Sequence, residues 1–218
     1  MDRDTFLDRV RRASAAAELP AAPTVSPALP SLEREDLVGL FVERATAVNA
    51  MVHGPMRSTR IPRAVERIAS EHGCESFVIW DDVPVPGVAS ALTTAGCRRV
   101  PHEIVADDRL ELQLALRDLD CGITGADAGL AESGSVVLAH GPGRPRMASL
   151  IPDVHVVLLE VAAIHRSLVH WAHRNPELVS STANLVVISG PSRTGDIELQ
   201  LNLGVHGPRI VHIVLVRP

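Results

Sequence analysis

Ile210-Val211-His212-Ile213-Val214-Leu215-Val216 is an uncharged run of mostly β-branched residues broken by one histidine. That is the pattern of a strand buried on both faces. Leu185-Val186-Val187-Ile188 is a shorter run of the same character and also reads as a buried strand. Between them lies a polar crest, Ser189-Gly190-Pro191-Ser192-Arg193-Thr194-Gly195-Asp196-Ile197-Glu198, followed by Gly204-Val205-His206-Gly207-Pro208. In open α/β sheets ligands sit on loops at strand ends, which makes the crest the first candidate site.

Working outward, the same alternation of helix and uncharged strand extends back to Ile61. Pro62 suits a first helical turn, Ile61, Val65 and Ile68 share a face, and Gly73 ends the helix. Strands are expected at 76–80, 98–100 and 154–159, and helices at 88–95, 110–119, 144–150 and 162–174. Four glycines interrupt the apolar pieces of 121–138, implying tight strand connections and a close backbone approach to a ligand or neighbour. The spacing predicts an α/β fold: a layered open sheet, largely parallel, flanked by helices, with an N-terminal helical arm. The arm comprises a helix over 4–17, a linker punctuated by Pro20, Pro23, Pro27 and Pro30, and a helix over 32–49 capped by Ser31. The division expected is 1–57 for the arm and Pro-rich linker and 58–218 for the α/β domain.

Composition removes several function classes. All 21 basic residues of the 218 are arginine, so neither a phosphate-loop lysine nor a Schiff-base or pyridoxal-phosphate lysine is available. Tyrosine is absent, aromatics are 2% and the net charge is −5, which argues against nucleic acid as a partner. Cys74, Cys97 and Cys121 have no C-x-x-C spacing and are too few for an iron–sulfur site, so they read as small buried hydrophobes. No apolar run reaches the roughly 18–20 residues of a membrane helix. Met1-Asp2-Arg3-Asp4 lacks the basic-then-apolar order of a secretory signal, so a cytoplasmic location is expected.

Three catalytic candidates emerge. Glu132, among small residues in Ala131-Glu132-Ser133-Gly134-Ser135, can be a nucleophile or general base, or a turn carboxylate bonded to nearby amides. His206, in a loop flanked closely by glycines, suits proton transfer or simple loop hydrogen bonding. Asp196 can serve chemistry or pair with Arg193 and lock the loop. The ligand-binding candidates are Thr124, Asp127 and Ser133, and, on the crest, Ser192, Arg193, Thr194 and Glu198. Arg193 with its hydroxyl neighbours can hold a carboxylate or phosphate. If Thr194 caps a short helix, the helix dipole assists. His165, His170 and His173 fit a polar helix face better than a metal site, because no carboxylate or cysteine stands at ligand spacing. Gly141-Pro142-Gly143-Arg144 is a flexible basic turn.

Five segments taken in order, Gly122–Asp127, Ala131–Ser135, Ser149–His155, Ser189–Glu198 and Gly204–Pro208, resemble the lactate-utilisation protein C family, the stand-alone form of the LUD domain. The resemblance covers about residues 60–218. It implies a fold similar to that of CoA transferases, ribose-phosphate isomerases and formyltetrahydrofolate cyclo-ligases. It also implies a role in oxidising L-lactate to pyruvate beside iron–sulfur partner proteins. On that reading the chain is a non-redox component that holds no cofactor and binds a small anionic metabolite in a loop-lined cleft, with the iron–sulfur clusters in its partners. The alternative is an independent acyl or CoA transferase using Glu132, because Glu132-Ser133-Gly134 is similar to the Glu-x-Gly segment of those enzymes. Gly125-Ala126-Asp127 is similar to part of the isomerase acidic signature, but the missing lysine speaks against isomerase chemistry and the missing tyrosine-bearing glycine loop against cyclo-ligase chemistry.

Overall fold

The computed structural model describes residues 2–15, 34–102, 116–117, 119–182, 184–195 and 201–217. The chain divides into two units, Met1–Pro30 and Ser31–Pro218. The first contains α1 (Arg3–Ala15). Its first turn is capped by Asp2, whose carboxylate accepts from the Thr5 amide at 2.9 Å and the Thr5 hydroxyl at 2.7 Å.

The second unit runs α2 (Arg34–Ala47), β1 (Met51–Arg57), α3 (Ile61–Glu71), β2 (Ser76–Ile79), α4 (Val88–Thr94), β3 (Arg98–Arg99), β4 (Cys121–Gly125), β5 (Ala128–Leu130) and β6 (Ser135–His140). It continues with β7 (Val154–Glu160), β8 (Ile164–His165), α5 (Leu168–Arg174), α6 (Pro176–Ser181), β9 (Asn184–Ile188), β10 (Arg193–Gly195), β11 (Leu201–Leu203) and β12 (Ile210–Arg217). Six strands form one wholly parallel sheet in the order β1-β12-β7-β4-β2-β3. A second, mixed sheet has the order β8-β5-β6-β9, and β10 and β11 make a separate hairpin.

The alternation along β12 sets the layering. Val211, Ile213 and Leu215 enter a core shared with Phe41 and Ala45 of α2 and with Val136 and Leu138 of the second sheet. Val214 and Val216 enter a second core with Ile61, Val65 and Ile68 of α3 and Val88 and Leu92 of α4. The parallel sheet is therefore covered by helices on one face and by α2 with the small sheet on the other. This double burial is why the central strands β12, β7, β4 and β2 carry almost no charge. Each fully buried aliphatic side chain here contributes about 2 kcal/mol of apolar burial.

Three expectations change. The boundary after residue 57 moves to 30/31, because Phe41 and Ala45 are fully buried and β1 pairs along β12. The polar face of α2 hid its apolar stripe, and the register shift between His53 and Met56 broke the alternation of β1. The single helix over 162–174 is instead a short 3-10 turn, the two-residue strand β8 and then α5. Ser167 starts that helix late by accepting the His170 amide at 3.3 Å, while Ile164 is buried between layers. The strand at 185–188 is not central: β9 is the edge of the small sheet, and Val187 is 42% exposed. The expected cap Ser31 and most of the expected helix 110–119 lie outside the described residues, although Leu116 and Leu119 are buried in the core.

Candidate functional site

Neighbouring strands β2 and β4 of the parallel sheet send their connections to opposite faces. After β2 the chain crosses to α4, and after β4 it enters β5 of the small sheet. Such a divergence at strand carboxyl ends opens a crevice where α/β proteins bind ligands. Trp80, Asp81 and Asp82 follow β2, Pro101 and His102 follow β3, and Asp127 follows β4.

On the other side of β2, where β3 pairs with it, a cavity of about 340 Å³ is lined by Asp81, Arg99, Pro101 and His102. Asp81 Oδ1 lies 3.1 Å from His102 Nε2 and 3.6 Å from Arg99 Nη2. One carboxylate thus positions an imidazole and a guanidinium at the mouth of a small cavity. That set can hold a carboxylate through the arginine fork and exchange a proton through the histidine.

Beside the cavity, Arg144 ties the ends of β2 and β4 together. Its Nε donates to Asp82 at 2.7 Å and its Nη1 to Asp127 at 2.9 Å, while the guanidinium lies 5.2 Å from the Trp80 ring centroid. The paired carboxylates outweigh burial and raise the Arg144 pKa. Asp127 also accepts the Ala139 amide at 2.7 Å, Trp80 Nε1 donates to Pro145 O, and the Asp81 amide donates to Gly143 O at 3.0 Å. The glycine turn expected to be flexible is therefore tied down at both ends.

Two histidines are buried close to these strand ends. His140 meets Trp80 edge-on at 5.5 Å, and its Nε2 is 3.4 Å from Ser149 Oγ. His155 is fully buried with Nε2 2.9 Å from Thr124 Oγ1. Burial pushes the His155 pKa down to about 3 and lowers that of His140.

The crest assembles elsewhere, around the carboxyl end of α2. A Cβ on Gly134 would sit 2.1 Å from Ala45 N, and one on Gly190 2.1 Å from Val48 O, so both glycines admit this helix end at positive φ. Arg193 Nη2 donates to Val48 O at 3.2 Å and so caps the same helix. Ser135 Oγ bridges Ser133 Oγ at 2.8 Å and Ser189 Oγ at 2.7 Å. Ser192 is bonded through its backbone to Pro208 and Gly204, which brings the His206 loop alongside; His206 itself is exposed. Glu132 is 43% exposed and accepts from Arg166 Nε at 2.7 Å. Ser133, Ser192 and Arg193 thus share one surface with the Glu132 turn and the His206 loop, whereas Asp127 stands at the end of β4 paired with Arg144 and Thr124 is fully buried against His155. Thr194 lies in strand β10 rather than capping a helix, and Asp196 and Glu198 lie outside the described residues. Among the described residues, no group of three or more His, Cys, Asp or Glu is arranged to hold a metal ion.

The sequence reading missed Asp81, Asp82, Arg99 and His102. Each lies in or just after a strand expected at 76–80 or 98–100, and only the pairing of those strands brings Asp81, Arg99 and His102 together.

The LUD domain model matches residues 38–216. The chain belongs to the LUD domain family. Among its relatives in this LUD domain family, lactate utilization protein C of Halalkalibacterium halodurans is 30% identical, the alignment covering 98% of this chain and 97% of that one. The protein of the same name from Shouchella clausii is 28% identical over 95% and 94% of the two chains. A crystal structure of a DUF162 family protein from Deinococcus radiodurans superposes with a TM-score of 0.62 at 18% identity, covering 86% of this chain and all of that one. The last likeness bears on the fold alone and agrees with the α/β architecture of this LUD domain.

Proposed function

We propose that this protein serves lactate utilisation as a component without redox centres of its own, binding a small carboxylate metabolite in the cavity at the carboxyl ends of β2 and β3. The role in lactate utilisation is supported by relatives of nearly equal length that carry that name. The location is supported by one observation above the others: Asp81, Arg99 and His102 converge on a small cavity at the carboxyl ends of the paired parallel strands β2 and β3. In this reading Arg99 takes the carboxylate, Asp81 orients His102, and His102 faces the hydroxyl or keto oxygen. Electron transfer falls to iron–sulfur proteins that assemble with this chain.

Two experiments test the proposal. L-Lactate and pyruvate binding is measured by calorimetry for the wild-type protein, Arg99→Ala and Arg193→Ala. Loss of binding in Arg99→Ala alone is expected, and loss in Arg193→Ala alone would move the site to the crest. Affinity purification from the native cell should recover iron–sulfur proteins, and deletion should abolish growth on L-lactate. Normal growth with no such protein recovered overturns the role.

A further inference from the structure

The cavity at Asp81 and Arg99 does not stand alone. A neighbouring cavity of about 400 Å³ shares both of those residues and reaches the start of α4 instead of His102. Its chemistry differs from the first. Val83, Val85 and Pro86 of the loop after β2 and Val88 and Ala89 of α4 line it, and apart from the shared Asp81 and Arg99 it carries no charged residue. An ionic cavity and an apolar one thus meet at a single aspartate and a single arginine.

The apolar wall is held in place from several sides. Val85 and Val88 are buried in the core beneath α3 and α4, and Val83 packs against the cores on both faces of the sheet. Asp82, next to Val83, accepts from Arg144 Nε at 2.7 Å, and the Asp81 amide donates to Gly143 O at 3.0 Å. Pro84 and Pro86 restrict the backbone of the same loop. A pre-formed apolar surface next to a few placed polar groups is how small-molecule sites take up a ligand body and fix its orientation. L-Lactate makes little use of such a surface, because its side chain is a single methyl group.

We propose, building on the carboxylate site at Arg99, that the ligand class is a 2-hydroxy or 2-oxo acid with a longer aliphatic side chain that lies against Val83, Val88 and Ala89. The shared residues set its orientation. The carboxylate sits at Arg99, where the two cavities meet, the oxygen on the neighbouring carbon faces His102, and the side chain points toward α4. Lactate is then the smallest member of the class rather than the ligand that fills the site. Each methylene that leaves water for this surface should tighten binding about fourfold, the transfer free energy of a buried CH₂, until the cavity is full.

The test is calorimetry of the full chain with the L-forms of lactate, 2-hydroxybutyrate, 2-hydroxyvalerate and 2-hydroxyisocaproate. A stepwise gain in affinity along the series is expected, with all binding lost in Arg99→Ala. Ala89→Glu places a charge where the side chain would lie, at a first helical turn that tolerates a carboxylate. In that variant the gain should vanish, so that the four acids bind alike. Ala89→Ser, a smaller change, should reduce the gain and serves if Ala89→Glu does not fold. Lactate binding with an affinity that is flat or falls along the series overturns the second cavity and leaves the Arg99 site standing, as does a full gain that survives in both Ala89 variants. Binding of none of the acids removes the Arg99 site and this extension with it.

Discussion

Arg144 and Asp127 form an ion pair at 2.9 Å whose acidic member is only 13% exposed and whose second oxygen accepts the Ala139 amide. The pair joins the turn after β6 to the end of β4. Removing the arginine would leave a carboxylate largely cut off from water, which costs more than the pair itself contributes. Arg144→Ala should therefore lose about 3 kcal/mol of stability. Arg144→Ala combined with Asp127→Asn should recover part of that loss. Denaturant unfolding of both variants and of Asp127→Asn alone measures the coupling, and additive losses would show the two side chains to be independent.

Acid should destabilise the fold through its buried histidines. His155 is held down to about 3 and His212 to about 4, in both cases chiefly by burial, and His53 is lowered for the same reason. His212 lies 2.7 Å from His53 and 2.9 Å from His72, so a proton on it would meet two imidazoles rather than a carboxylate. The unfolded chain takes up these protons near pH 6.5 and the folded chain does not, so unfolding absorbs protons between pH 6.5 and the folded values. Stability is fully present above about pH 6.5 and falls as the pH drops toward 3 to 4, by at most about 1.4 kcal/mol per pH unit for His155. Melting temperatures measured from pH 8 to pH 4.5 should be flat and then fall. His155→Gln should flatten the fall, and an unchanged slope would remove His155 from the account.

The parallel sheet was legible because doubly buried strands such as 154–159 and 210–216 leave uncharged runs that nothing else in a globular chain requires. Strand β1 was not, because its register shift and its place at the sheet edge, with Met51 exposed, leave no such run. The crest drew attention through its density of polar residues. Much of that chemistry is spent internally: Arg193 caps α2, and the serines bond one another. Asp81, Arg99 and His102 are ordinary surface-type residues in sequence. They become a site only when the two parallel strands β2 and β3 bring their carboxyl ends side by side, which a linear reading cannot display.

Close backbone approach predicts a sharp penalty at Gly122. A Cβ there would lie 1.8 Å from Ala148 O and 2.8 Å from Pro152 Cγ, inside the contact between β4 and the 3-10 turn at Arg146–Ser149. Backbone would have to yield, so Gly122→Ala should cost about 3 kcal/mol. Gly141→Ala is the control, because nothing lies within 4 Å of its Cβ position. Equal melting temperatures for the two variants would contradict the packing described.

Glu132 provides the discriminating test of acyl-transfer chemistry. A carboxylate nucleophile must present a free oxygen to a thioester carbonyl, and the covalent intermediate has no charge with which to hold a guanidinium. Here Glu132 Oε1 accepts from Arg166 Nε at 2.7 Å, and the Glu132 amide donates to Arg166 O at 2.9 Å, so side chain and backbone both bind it to the strand β8 connection. Forming an anhydride would sacrifice that pair. Incubation with acetyl-, propionyl- and lactoyl-CoA followed by peptide mass spectrometry should therefore leave Glu132 unmodified, and Glu132→Gln should bind lactate as the wild type does. An acyl or CoA adduct on Glu132, trapped by hydroxylamine or borohydride, would move the chemistry from the cavity at the ends of β2 and β3 to the β5–β6 turn.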